Sequence, residues 1–200
     1  MENVYIIGSG MIRFNKYPEK TVRTMAKQAI SLCLEDACIN KKDLQAGFFS
    51  NTFWGMFSGQ HSIRGQVVFR DMGIDKIPVT NVENACAGAS TALNLAFQGI
   101  RAGMFDLAIA VGSEKITDPD KMKSFSAYSC CMDVENFEGH IHMITEMGNS
   151  FENLKIPDDD SAPGQGRSVF MDAYAMGTRW HMNKYNSTQH QQGNQIRQGH

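Results

Sequence analysis

Cys86 sits in the run Val82-Glu83-Asn84-Ala85-Cys86-Ala87-Gly88-Ala89-Ser90-Thr91. A strand-like stretch leads into it, and small, helix-compatible residues lead out. The pattern predicts one sulfur at a strand-to-helix junction, beside unpaired backbone N–H groups and the positive end of a helix dipole. Both favour thiolate over thiol. A thiolate so placed is a nucleophile able to hold an acyl group as a thioester. Ala87, Gly88, Ala89 and Ser90 remove bulk, which leaves room for an acyl chain or another backbone. A structural role fits the same residues, because cysteine is a common small buried hydrophobe and Ala/Gly/Ser-rich helices pack closely. Spacing alone leaves both readings open.

The other candidates carry weaker signals. His61, His140, His142, His181, His190 and His200 are scattered and read as surface or loop histidines. His140 and His142 alternate as a metal pair would in a strand, but no third ligand is evident, so no metal site is assigned. Gly164-Gln165-Gly166-Arg167 offers backbone N–H groups and a guanidinium to a phosphate, and it equally suits a polar turn. Cys33 and Cys38 fall on or near a predicted helix and read as core thiols. Five cysteines, with no paired spacing, point to a reducing, cytoplasmic setting and leave a peroxisomal or mitochondrial one open. A net charge of −2, from 19 basic and 21 acidic residues, asks for neither nucleic acid nor an anionic membrane as partner. The longest apolar runs are too short for a membrane span.

These residues must be held by an ordered scaffold, and 42% hydrophobic content over 200 residues is enough for a real core. Residues 3–8 read as a buried strand ending in the turn Gly8-Ser9-Gly10. Residues 21–38 have helical periodicity, with Thr21 as N-cap. A strand is predicted over 46–54, a helix over 60–72 stopped by Gly73, and a strand over 78–84. A third helix follows over 87–102, stopped by Gly103, and then an apolar strand over 105–112 that reads as covered on both faces. Strand-helix alternation of this kind predicts an α/β layered fold with parallel strand pairs. Residues 113–168 break the alternation as a long excursion with one helix near 137–149. A helix returns over 169–185. The Gln/Gly/His-rich tail 189–200 has one large aliphatic residue and is not expected to fold.

Asn84-Ala85-Cys86-Ala87-Gly88-Ala89-Ser90-Thr91-Ala92-Leu93, then Gly99-Ile100-Arg101-Ala102-Gly103 and Ala108-Ile109-Ala110-Val111-Gly112-Ser113-Glu114-Lys115, resembles the nucleophile region of thiolases. The likeness is closest to the branch of sterol-carrier-protein-type and lipid-transfer-protein thiolases. Ser168 to Ala175 and His181 to Tyr185 look like the same branch after its loop domain, and Ile6 to Met11 fits the family's opening.

The resemblance implies a thiolase-like layered αβα fold of which this chain carries the N-terminal half plus the loop domain. Residues 1–112 would form the αβα core, 113–168 the loop domain that helps shape an acyl-CoA pocket, 169–188 the returning helix and 189–200 the tail. It implies that Cys86 attacks an acyl-CoA carbonyl and carries the acyl group. Coenzyme A thioester would be the substrate, with no permanently bound cofactor. It also implies a homodimer or hetero-oligomer with residues 79–84 near the seam. In the family the activating histidine, the groups acting on the α-carbon and most of the oxyanion hole come from a second half. Those motifs do not occur here, so this chain alone is expected to be an impaired thiolase. Two other functions remain open. One is a subunit of a retro-aldol carbon–carbon lyase of the same fold, working with a zinc/OB-fold partner protein, in which Cys86 is a bystander. The other is a non-catalytic scaffold subunit.

Overall fold

The computed structural model describes residues 3–149 and 168–197, which form two compact units, Met1–Pro119 and Asp120–His200. In the first unit three parallel strands make one sheet in the order β2-β1-β3: β1 Ala46–Ser50, β2 Val79–Val82 and β3 Ala108–Gly112. Ser50 pairs in register with Val82 on one side and Gly112 on the other, so the three C-terminal strand ends lie side by side. All five β1 residues are buried, as a central strand requires.

The strand period of two sends neighbouring side chains to opposite faces. Phe49, Ile109 and Val111 pack with Val22, Ala26 and Ile30 of α1 (Val22–Asp36) and with Val68 and Phe69 of α3 (Arg64–Asp71). On the other face Ala46, Phe48 and Val82 pack with Ala92 and Ala96 of α4 (Gly88–Arg101). The result is a helix–sheet–helix sandwich, the predicted α/β layering. Thr21 caps α1 by accepting the Thr24 N–H at 3.1 Å, and Gly103 ends the turn after α4 at φ 68°.

Several boundaries differ from expectation. The predicted strand over 3–8 is not one: among the described residues the segment pairs with no strand, and Tyr5, Ile6 and Ile7 are 54% to 77% exposed. It is held by α1 instead. The Ser9 N–H donates to Asp36 at 2.8 Å, and Gly10 lies so close to Ala29 and Cys33 that a Cβ would collide with their backbone. An apolar cleft of about 650 Å³ separates this segment from the free edge of β3. The strand predicted over 46–54 ends at Ser50, because Asn51 turns the chain into the short helix α2 (Trp54–Ser58) by accepting the Trp54 N–H at 3.1 Å. The helix predicted over 60–72 starts only at Arg64, after Ile63 in the left-handed region.

The second unit is helical: α5 Lys121–Ser129, α6 Phe137–Asn149, α7 Val169–Tyr185 and α8 Gln189–Arg197. The predicted helices near 137–149 and over 169–185 are present; α5 and α6 both pack against α7. The tail expected to stay unfolded forms α8 up to Arg197. A local box explains its start: the Thr188 N–H donates to Gln191 Oε1 at 2.8 Å, and the Gln191 N–H donates back to Thr188 Oγ1 at 3.3 Å. Gly164 to Arg167, the phosphate-contact candidate, lies outside the described residues. No helix among the described residues is long and apolar enough to cross a membrane.

Candidate active site

Cys86 lies just beyond the C-terminal edge of the sheet, where parallel α/β sheets open their ligand crevices. β2 ends at Val82, and a 3-10 turn over Ala85–Ala87 holds Cys86 two residues ahead of Gly88, where α4 starts. The thiol is free and exposed. The predicted strand-to-helix junction is therefore present, with one added turn between strand and helix. Gly88 sits against Ser50: a Cβ at Gly88 would overlap Ser50 Oγ, so only glycine lets α4 start this close over the end of β1. The Ser90 and Thr91 hydroxyls both donate to the Ala87 carbonyl, at 2.9 and 2.8 Å, which tightens the first turn under the cysteine.

The loops that follow the three strands are laced together beside this turn. Asn51, 3% exposed, is the hub. Its amide nitrogen donates to the Ser113 carbonyl and to Glu114 Oε1, each at 2.8 Å. Its side-chain oxygen accepts from Trp54 N–H and from Arg64 Nη1 at 2.9 Å, and Arg64 also donates to the Asn51 carbonyl at 2.5 Å. Glu114 Oε2 accepts the Thr52 and Phe53 N–H groups at 2.7 and 3.1 Å. Thr52 in turn donates its hydroxyl to Glu83. Lys115 closes the far side by donating to the carbonyls of Tyr17, Pro18 and Lys20. The network is a hydrogen-bonded frame of amides, carboxylates and carbonyls around the strand ends. Asn51 and Arg64 had no local sequence signal, since Asn51 meets its partners 13 and 63 residues away along the chain. Glu114 and Lys115 were visible only as part of a motif.

Cys33 and Cys38 belong to α1 and the turn after it, and His140 and His142 to the second unit. Cys33 is half-buried; burial, and then the charge of Asp36, push its thiol above the usual range. Cys38 is exposed rather than a core thiol: it stands beyond the end of α1 at φ 52°. His140 and His142 stand on helix α6 rather than a strand. His140 Nδ1 meets the Asn136 carbonyl, and His142 faces Glu146 at 3.6 Å. Among the described residues no group of three His, Cys, Asp or Glu side chains is placed to hold a metal.

The profile of the thiolase N-terminal domain matches residues 4–155. This chain belongs to the thiolase family. Acetyl-CoA acetyltransferase of Methanocaldococcus jannaschii is 34% identical over 135 residues, which is 68% of this chain and 34% of that protein. Non-specific lipid-transfer protein-like 2 of Caenorhabditis elegans is 32% identical over 127 residues, 62% of this chain and 29% of its relative. Bovine sterol carrier protein 2 is 32% identical over 120 residues, 56% of this chain and 20% of that protein. The similarity thus reaches both groups of thiolase relatives that the Cys86 motif resembles. The thiolase chain described here spans about a third of the length of the curated relatives it matches, or less.

Proposed function

We propose that this chain is an acyl-CoA-dependent acyltransferase of the thiolase type, with Cys86 as the acyl carrier. The observation that supports it is the placement of Cys86: a free, exposed thiol at the elbow between β2 and α4, in a chain of the thiolase family. In the first step Cys86 Sγ attacks the carbonyl carbon of an acyl-CoA. A carbon–sulfur bond forms to Cys86, the carbon–sulfur bond to coenzyme A breaks, and coenzyme A leaves as the thiol with the proton that Cys86 gave up. Carbon–carbon bond formation or cleavage then needs an acid/base and a site for the second substrate. Removing such groups costs orders of magnitude in turnover.

The same reading makes β2 the dimer seam. It is an edge strand of the sheet, and Thr80 and Asn81 are exposed along it. Pairing two copies through residues 79–84 would cover that edge.

Intact-mass measurement after incubation with acetyl-CoA tests the assignment. The wild-type chain should gain one acetyl group, and Cys86→Ala should gain none. An adduct that persists in Cys86→Ala would remove Cys86 from the role. A wild-type chain that gains no adduct would move the function to the lyase or scaffold readings.

A further inference from the structure

Ala85 precedes Cys86 at φ 42°, in the left-handed region that a residue with a Cβ adopts only at a cost. Its N–H donates to Glu83 Oε1 at 2.6 Å. The same oxygen accepts the Thr52 hydroxyl at 3.2 Å. Thr52 is itself fixed, because its N–H donates to Glu114. On the other side Asn84 donates from its amide to Thr91 Oγ1 at 2.9 Å, and its carbonyl accepts the Ala87 N–H at 2.9 Å. The turn that carries the sulfur is thus tied to the loop after β1 at one end and to α4 at the other. Glu83 is exposed, so core packing gives no reason for a carboxylate there. Its visible task is to hold an otherwise disfavoured backbone angle one residue before the thiol.

We propose that Glu83 is a positioning residue for Cys86: anchored by Thr52, its carboxylate holds Ala85 in the left-handed turn that presents the sulfur at the head of α4. The inference rests on the reading of Cys86 as the acyl carrier. Three roles for Glu83 make different forecasts. A hydrogen-bond acceptor that stabilises the turn is replaceable by an amide oxygen. A negative charge acting on the thiol is not. A role in the turn alone becomes dispensable once residue 85 has no Cβ.

The test uses the full chain and limiting iodoacetamide. Peptide mass mapping compares alkylation of Cys86 with that of Cys38, an exposed thiol beyond α1 that serves as internal reference. Glu83→Ala should lower the Cys86-to-Cys38 ratio about fivefold, the factor equivalent to about 1 kcal/mol of left-handed penalty no longer offset. Glu83→Gln should stay near wild type. Adding Ala85→Gly to Glu83→Ala should restore the ratio. Thr52→Val should lower it in the same direction as Glu83→Ala, and this variant carries the test if Glu83→Ala loses its circular dichroism. An unchanged ratio in Glu83→Ala and Thr52→Val overturns the proposal. So does a Glu83→Gln variant as slow as Glu83→Ala, or a double variant that Ala85→Gly fails to restore. Iodoacetamide needs no acyl-CoA site, so failure here leaves the acetyl-adduct experiment standing. A missing acetyl adduct beside the expected alkylation pattern overturns the acyl-carrier reading alone.

Discussion

Replacing Asn51 by alanine should destabilise the first unit more than any exposed polar substitution. Asn51 is buried and makes four side-chain hydrogen bonds, to Ser113, Glu114, Trp54 and Arg64. Truncation leaves each of these partners short of one bond. Glu114 is exposed and Arg64 half-buried, so water replaces most of what they lose. The buried Trp54 N–H and the Ser113 carbonyl have less access to water, and an unsatisfied buried group costs about 1–3 kcal/mol. The sum is about 2–6 kcal/mol, a large share of the roughly 5–15 kcal/mol that holds a domain folded. Urea denaturation followed by circular dichroism reads it directly: with a slope of about 2 kcal/mol/M, the midpoint should fall by about 1–3 M. Asn51→Asp gives a second reading. It keeps the oxygen that accepts from Trp54 and Arg64 but sets a carboxylate oxygen against Glu114 where the amide now donates at 2.8 Å. That variant should unfold at a lower urea concentration than wild type at neutral pH. A loss in Asn51→Ala below about 0.5 kcal/mol, the range of ordinary surface changes, would refute the view that this side chain is the hub of the strand-end frame.

Two further outcomes follow from the packing and charges. Gly88→Ala should cost about 1–3 kcal/mol, because the added Cβ overlaps Ser50 Oγ. Ser50→Ala in the same chain should recover most of that in thermal melts, since the Ser50 Cβ stands at an ordinary 3.6 Å. The hydrogen bond from Lys27 at 2.6 Å, helped by the charges of Lys27 and Arg23, holds the Asp71 carboxyl below its ordinary range. A depressed carboxyl contributes stability that is present above its unfolded value, near 3.8, and lost as pH falls through its lower folded value. The wild-type advantage over Asp71→Asn should therefore be flat near neutral pH, vanish in strong acid and shrink with added salt, as urea midpoints across that range would show.

Much of the frame was legible because it depends on local rules. The helical period over 21–38, the Thr21 cap, the apolar stretches around 46–50 and 108–112, and the two valines of 79–82 each declare themselves within a few residues. The failures came where one residue changes the direction of the chain. Asn51 sits in the polar stretch Ser50-Asn51-Thr52 after a buried strand, and nothing nearby shows that its oxygen will start α2. Thr188 and Gln191 cap each other across three residues, which gave a helix to a segment whose composition argued against one. The apolar run 3–8 looks like a strand, but a strand exists only where another strand offers it hydrogen bonds, and this segment lies on α1 instead.

The amino-acid sequence determined on its own that the chain alternates strands and helices, that Cys86 falls where a strand hands over to a helix, and that its flanking motif is that of thiolases. Those properties are carried by neighbours in the chain, so they are written in order. Only the tertiary structure decided that the three strand ends meet at Asn51, that Arg64 and Glu114 grip that residue from opposite sides, and that Glu83 holds Ala85 in a left-handed turn one residue ahead of the thiol. Those contacts join residues up to 63 positions apart. Their partners become neighbours only when the sheet has assembled, because register across the sheet, not position along the chain, sets which side chains meet.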